Sequence, residues 1–320
     1  MLKYLVILLD NTSTSYCHYE NERTESKLIA LEDLKAGILF GMKQNLMIQF
    51  VYPEYELPQE YKDSINSIDH TKIVPINASE EGDILVINGI EELSNLRVEE
   101  NKTYIIRVYK NDFFANVDQI LDIQHKVLRL NVVILDIETF TDEDFVKYND
   151  SLSQISQEIE KLYLNGTSPQ LNLLTDRLVL SSMNNCNAGW ENITLAPDGR
   201  FYICPAFYQA NSRIDIEDKT FSIGDFKKGI CVKNSQLYKL SNAPLCRNCD
   251  AFQCKRCVWL NRKTTLEVNT PSHEQCVISH LERNVTRNLL YNVRKHGSFL
   301  PDIEIEEISY LDPFDVRTEW

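Results

Sequence analysis

The chain has 320 residues, 43% hydrophobic and 25% charged, and no apolar run approaching the roughly 20 residues that span a bilayer. It therefore suits a well-cored protein of enzyme size and excludes a low-complexity scaffold. The formal net charge of −14 excludes nucleic acid as the main ligand, because a phosphate backbone calls for a basic footprint.

The first apolar run, Tyr4 to Leu9, ends at Asp10 and lacks a small-residue cleavage site. It reads as a buried strand, not a signal peptide. A cytoplasmic, reducing setting is expected, and there cysteines serve metal more often than disulfides. An amphipathic helix is predicted over 28–44, with Leu31, Leu34, Ile38, Leu39 and Met42 at helical spacing, followed by a strand from Met47 to Tyr52. Later strands are predicted at Ile84 to Ile87, Tyr104 to Val108 and Val132 to Ile137, with helices over 115–130 and 142–164. Alternating strands and helices imply βα units and a parallel sheet, here long enough for a partial (β/α) barrel and not clearly for a complete one.

Cysteine is the most informative residue. Seven of the nine cysteines form one ordered array: Cys186, then Gly199 and Cys204, then Cys246, Cys249, Cys254 and Cys257, then Cys276. The segment from Cys186 to Cys204 reads C-x12-G-x4-C, a strand pair whose Asp198-Gly199 turn brings two thiols toward one point. The next four cysteines read C-x2-C-x4-C-x2-C. A zinc ribbon separates its two knuckles by about 15–20 residues, so this spacing suits ligands divided between two sites, as iron–sulfur cubanes allow. Zinc is the alternative. Cys231, in the gap, is a possible extra ligand.

This array resembles the SPASM domain, the auxiliary-cluster module of radical SAM peptide maturases. The resemblance implies one [4Fe–4S] cluster on Cys246, Cys249, Cys254 and Cys276 and a second on Cys186, Cys204 and Cys257. The internal spacings x4 and x2 are each one shorter than usual for that family. The loop after the first strand, Asp10-Asn11-Thr12-Ser13-Thr14-Ser15-Tyr16-Cys17, resembles the radical SAM cluster loop with only one cysteine, Cys17, a weak candidate ligand. Val51-Tyr52-Pro53-Glu54 stands where that family has a Gly-Gly-Glu-Pro-like stretch. Both departures argue against ordinary cleavage of S-adenosylmethionine.

The stretches from Ser15 to Asn21, Asp33 to Phe40 and Asn45 to Pro53, together with Cys254-Lys255-Arg256-Cys257-Val258-Trp259-Leu260-Asn261, are similar to the CXXX repeat peptide maturases. That likeness implies maturation of a ribosomally made precursor rich in Cys-x-x-x repeats, alongside a companion modification protein. The auxiliary clusters would bind substrate sulfur or pass electrons. The alternatives are a non-catalytic precursor-binding or delivery partner and a zinc-stabilised adaptor. The expected architecture is α/β: a radical-SAM-type partial (β/α) barrel over 1–180, a cysteine-rich α+β SPASM-like iron–sulfur domain over 181–285, and an extension over 286–320. No catalytic residue is assigned.

Other conspicuous residues take plainer readings. His273 and His280, on either side of Cys276, read as solvated helix histidines. Asp136 and Glu138 could face the barrel mouth, and no partner for them is identifiable. Lys255, Arg256, Arg247 and Arg262 offset the charge of thiolate-bound clusters. Trp190, Phe201, Phe207, Phe252 and Trp259 are candidates for an apolar wall and more simply for core. The acidic stretches Asp302 to Glu307 and Asp312 to Asp315 read as a solvated tail.

Overall fold

Short β-branched and leucine-rich runs become strands where both faces can be buried, and Tyr-Leu-Val-Ile-Leu near the start is the clearest case: Leu5, Ile7 and Leu8 are 0% exposed. The computed structural model describes residues 2–93, 98–100, 102–210 and 221–314. In chain order the elements are β1 (Tyr4–Leu8), α1 (Leu31–Lys43), β2 (Met47–Val51), α2 (Gln59–Ile65), β3 (Thr71–Pro75), β4 (Ile84–Asn88), β5 (Thr103–Val108), α3 (Lys110–Ala115), α4 (Val117–Gln124), β6 (Arg129–Ile134), α5 (Asp142–Leu164), β7 (Gln170–Leu171), α6 (Thr175–Val179), β8 (Asn192–Leu195), β9 (Arg200–Tyr202), α7 (Ala206–Gln209), β10 (Gly224–Asp225), β11 (Gly229–Ile230), α8 (Val258–Thr265) and α9 (His273–Arg294). They form two compact units, each built from discontinuous segments. The first comprises Met1–Ile87, Cys186–Ala243 and Val258–Leu260; the second comprises Asn88–Asn185, Pro244–Cys257 and Asn261–Trp320.

In the first unit β1 lies between two parallel neighbours, β2 and β8, and the parallel run continues through β3 to β4. From β8 the sheet turns antiparallel through β9 and β10 to β11. Parallel strands covered on both faces read as continuous apolar runs, as β1 does. Helix α1 approaches this sheet closely because its packed face carries glycine one turn apart. A Cβ on Gly37 would stand 2.5 Å from Leu195 Cδ2, and one on Gly41 would stand 2.6 Å from Ile48 Cδ1. The Asp198-Gly199 turn is present between β8 and β9, with Gly199 at φ 75°, a conformation open to glycine and strained for other residues.

In the second unit β5, β6 and β7 are parallel. Helix α5 begins with a complete capping box between Thr141 and Asp144, a device worth about 1 kcal/mol. Its buried stripe runs Tyr148, Ser151, Leu152, Ile155, Ser156 and Ile159. That stripe faces α9, which starts at the N-cap Ser272, whose side chain accepts from the Gln275 N–H at 3.3 Å.

The mixed α/β architecture with parallel sheet agrees with the sequence reading, and details differ. The helix expected over 115–130 is shorter, Val117–Gln124, and Asn116, whose φ of −130° and ψ of 28° are non-helical, separates it from α3, which lies almost wholly ahead of the expected range. The strand expected from Val132 starts at Arg129 and ends at Ile134, because β5 sets its register from Thr103 to Val108. The acidic C-terminal stretch is anchored, not solvated throughout: Ile305 and Asp312 are buried, and Asp312 pairs with His273. Asp315 lies outside the described residues. Among the described residues no helix is long and apolar enough to cross a membrane.

Candidate functional site

All nine cysteines are free of disulfides. Four of them come together in the second unit. Cys246 is buried and Cys249 and Cys254 half-buried in the loop after Pro244, and half-buried Cys276 stands in the first turns of α9. Burial pushes the Cys246 thiol up to about 12, with Cys254 and Cys249 adding to the rise and Arg256 opposing it. Burial likewise brings Cys249 to about 11; the Ala251 N–H opposes the rise and Cys254 adds to it. Cys276 is raised by burial and then by Cys254 and Cys246, and Cys254 by burial against hydrogen bonds from Ser279 and the Arg256 backbone. Each thiolate therefore disfavours the next, so the four act as one electrostatic group.

Local backbone geometry presents these sulfurs. The Ala251 N–H points at Cys249 Sγ at 3.5 Å, and the Arg256 N–H at Cys254 Sγ at 3.4 Å, two residues on in each case. Arg256 adopts φ 44° to do so, at a cost of about 1–2 kcal/mol for a non-glycine residue. Such N–H···S contacts favour the thiolate form and are levers on cluster potential. Among the described residues, no group of three or more His, Cys, Asp or Glu side chains is positioned to hold a metal ion as it stands. The donor set fits an iron–sulfur cluster in kind: four neighbouring, unbridged thiols with backbone N–H groups aimed at two of them.

The loop is held by charge and by buried polar partners. Asp250 accepts from Arg283 Nε at 2.6 Å and Nη2 at 2.5 Å, and from Arg177 Nη2 at 3.4 Å. Burial opposes ionisation of Asp250, but the two arginines overcome it and hold the carboxyl below its ordinary value. The Asn184 N–H donates to the Phe252 carbonyl at 2.7 Å. Gln253 Nε2 donates to the Ser279 carbonyl at 2.7 Å and to Glu282 Oε2 at 3.1 Å, while Tyr148 donates to Glu282 Oε1 at 2.7 Å. Burial pushes the Glu282 carboxyl up to about 7 against these two hydrogen bonds.

A second group of thiols lies in the first unit. Cys204 is raised by burial and then by Cys186 and Cys17, and Tyr16 by burial and then by Cys17, Tyr19, Cys204 and Cys186. The β8–β9 hairpin carries Cys204 to the start of α7. The loop bearing Cys17 is lashed to that helix: Tyr19 donates to Gln209 Oε1 at 2.9 Å, Gln209 Nε2 to the Ser13 carbonyl at 2.7 Å, and Tyr208 to Asn11 Oδ1 at 2.5 Å. Cys17, a weak candidate in the sequence, thus belongs with Cys186 and Cys204. Their expected companion Cys257 belongs to the other unit, and Cys231 is exposed.

The loop after β1 closes on itself. Asp10 is 0% exposed; its Oδ1 accepts from the Thr12 N–H and hydroxyl at 2.8 and 2.7 Å, and its Oδ2 from Tyr55 at 2.8 Å and Ser26 at 3.0 Å. Ser13 donates to the Val51 carbonyl at 2.8 Å, and the Thr14 N–H to the Tyr52 carbonyl at 3.0 Å. The two stretches that depart from the radical SAM pattern are therefore bonded to each other.

No family model matches the sequence, and no curated protein matches it. Solved structures do match. They include anSMEcpe, an anaerobic sulfatase-maturating radical SAM/SPASM enzyme, with bound AdoMet, at TM-score 0.56 and 14% identity over 94% of this chain and 98% of that one. The likeness is one of fold. The same protein with bound AdoMet and Cp18Cys peptide gives TM-score 0.55 at 13% identity over 92% of this chain and 100% of that one. An α/β fold like that of anSMEcpe is thereby shown across nearly the whole chain.

The remaining candidates resolve locally. Asp136 accepts from the Lys110 N–H at 2.9 Å and from the Thr139 hydroxyl at 3.4 Å, and Glu138 pairs with Lys263. Phe201, Phe207 and Trp259 are core residues, with Phe207 and Trp259 ring centroids 5.2 Å apart. His280 is not solvated, as the sequence suggested; it is 5% exposed. Sequence reasoning missed the grouping of His280, Glu282 and Arg283. One signal could have found part of it: Cys276, His280 and Arg283 are spaced i, i+4, i+7 and share one face of α9.

Proposed function

We propose that this chain takes part in maturing a ribosomally made, cysteine-rich peptide with Cys-x-x-x repeats, and that Cys246, Cys249, Cys254 and Cys276 hold a [4Fe–4S] cluster. The observation that supports this reading is the gathering of four unbridged thiols on a fold like that of a peptide-maturing radical SAM enzyme. Four adjacent thiolates repel one another, and a cationic metal group relieves that repulsion while taking the thiolates as ligands. When bound, the cluster would supply an electron-transfer centre or a binding point for substrate sulfur. The Ala251 and Arg256 N–H groups would steady the sulfurs, and the Asp250 clamp with Arg177 and Arg283 would hold the loop. Cys186 and Cys204 are proposed as ligands of a second cluster.

Ordinary cleavage of S-adenosylmethionine is not part of the proposal, since the loop after β1 offers one cysteine and its Asp10 is engaged in the loop's own hydrogen bonds. That closed loop favours a second reading, in which the chain binds the precursor and delivers it to a companion modification protein. Anaerobic purification with iron and zinc analysis is the first test: several irons per chain are expected, and zinc alone overturns the cluster reading. Incubation with a Cys-x-x-x repeat peptide and a reductant, followed by mass spectrometry, is the second. A mass change supports maturation by this chain; binding without a mass change transfers the chemistry to the companion.

A further inference from the structure

Cys249 has a partner outside the set of thiols. His280 Nε2 lies 3.4 Å from Cys249 Sγ, and His280 is 5% exposed, on the same face of α9 as Cys276 one turn before it. On the other side of the ring, Nδ1 is buried and the Leu311 backbone is its neighbour. A neutral imidazole carries one ring proton, and which nitrogen bears it follows from the partner each nitrogen has. With the proton on Nε2, a thiolate sulfur accepts it; with Nε2 bare, its lone pair faces an electron-rich sulfur at 3.4 Å. The second arrangement sets two electron-rich atoms against each other and withholds a donor from the thiolate, so a ligating Cys249 favours the proton on Nε2.

We propose that His280 is a positioning residue that donates its Nε2–H to the Cys249 sulfur and so sets the reduction potential of the metal group held by the four thiols. This rests on the cluster reading above. Together with the Ala251 N–H at 3.5 Å, it gives Cys249 two donors. A hydrogen bond to a ligating sulfur draws electron density from it and favours the reduced state, so it raises the potential.

The test uses the full-length chain purified anaerobically, as wild type, His280→Leu and His280→Gln. Iron per chain is expected to be equal in all three, with the midpoint potential of His280→Leu displaced to more negative values and that of His280→Gln, which restores an N–H donor, lying closer to wild type. An unchanged potential in His280→Leu with iron intact overturns the proposal. Should His280→Leu fail to fold, wild-type protein with 15N-labelled histidine decides by pulsed EPR of the reduced cluster. A weak 15N coupling is expected, whereas a strong one, meaning a directly ligated nitrogen, or none overturns the assignment. A preparation holding zinc and no iron would sink the cluster reading alone; in that form, 15N NMR of His280 still decides the hydrogen bond, with Nε2 protonated in support and Nδ1 protonated against.

Discussion

Replacing Asp250 with Asn tests whether charge on the cysteine loop is a structural necessity. Arg283 and Arg177 have side chains 1% and 4% exposed, and their shared carboxylate is 36% exposed. Removing one member of a buried ion pair costs about 3–5 kcal/mol, because the remaining charge stays desolvated. Partial access of water to Asp250 reduces this, so the expected loss for Asp250→Asn is about 2–3 kcal/mol. The assay is urea unfolding at neutral pH, followed by far-UV circular dichroism, with the midpoint falling and the slope unchanged. Glu143→Gln is the control: its i,i+4 pair with Lys147 is 78% and 51% exposed, and such pairs contribute about 0.3–0.5 kcal/mol. If Asp250→Asn proves as mild as the control, the buried arginines do not depend on that carboxylate and the clamp argument is wrong.

Cys254→Ser is expected to lower iron per chain and destabilise the second unit, while Cys231→Ser, at an exposed thiol, leaves iron content unchanged; equal iron in both variants would refute the ligand set. Glu282 carries a pH signature. Its carboxyl is raised from 4.5 to about 7, so the stability it contributes is fully present below pH 4.5 and is lost as pH rises through 7. At 1.36 kcal/mol per unit the loss amounts to about 3 kcal/mol. Stability of wild type relative to Glu282→Gln should therefore fall between pH 4.5 and 7, and a constant difference would show that the carboxyl is not perturbed. Gly37→Ala places a methyl 2.5 Å from Leu195 Cδ2; overpacking costs about 1–3 kcal/mol against about 1 kcal/mol of helix propensity regained. A net drop in thermal midpoint is expected, and a rise would mean that α1 can shift off the sheet.

Elements with a clean apolar period were legible in the sequence. β1, α1, β2, β4 and α5 fall within a few residues of where alternation and helical spacing put them, since burial of their own side chains is enough to define them. α2 and β3 were missed because each is short: α2 is mostly polar, with only Tyr61 and Ile65 buried, and the apolar run of β3 is just Ile73, Val74 and Pro75. For α9 a helix was expected around His273 and His280, and what was missed is how much of it is buried. Its inward face includes Gln275, Ser279, His280, Glu282, Arg283 and Thr286, residues that read as solvent-facing until their partners on distant segments are known.

The same division runs through the candidate site. Spacing alone singled out the cysteines as candidate ligands, because the count and order of thiols along a chain are properties of the chain. Which thiols stand together is a property of the fold: Cys17 joined Cys186 and Cys204 through the ties between its loop and α7, 190 residues apart from Tyr19 to Gln209. His280, Glu282 and Asp250 acquire chemical meaning only where Cys249, Tyr148 and Arg283 meet them. A polar side chain is stable inside a protein only with a partner, and the partner is chosen by tertiary contact, which local pattern does not encode.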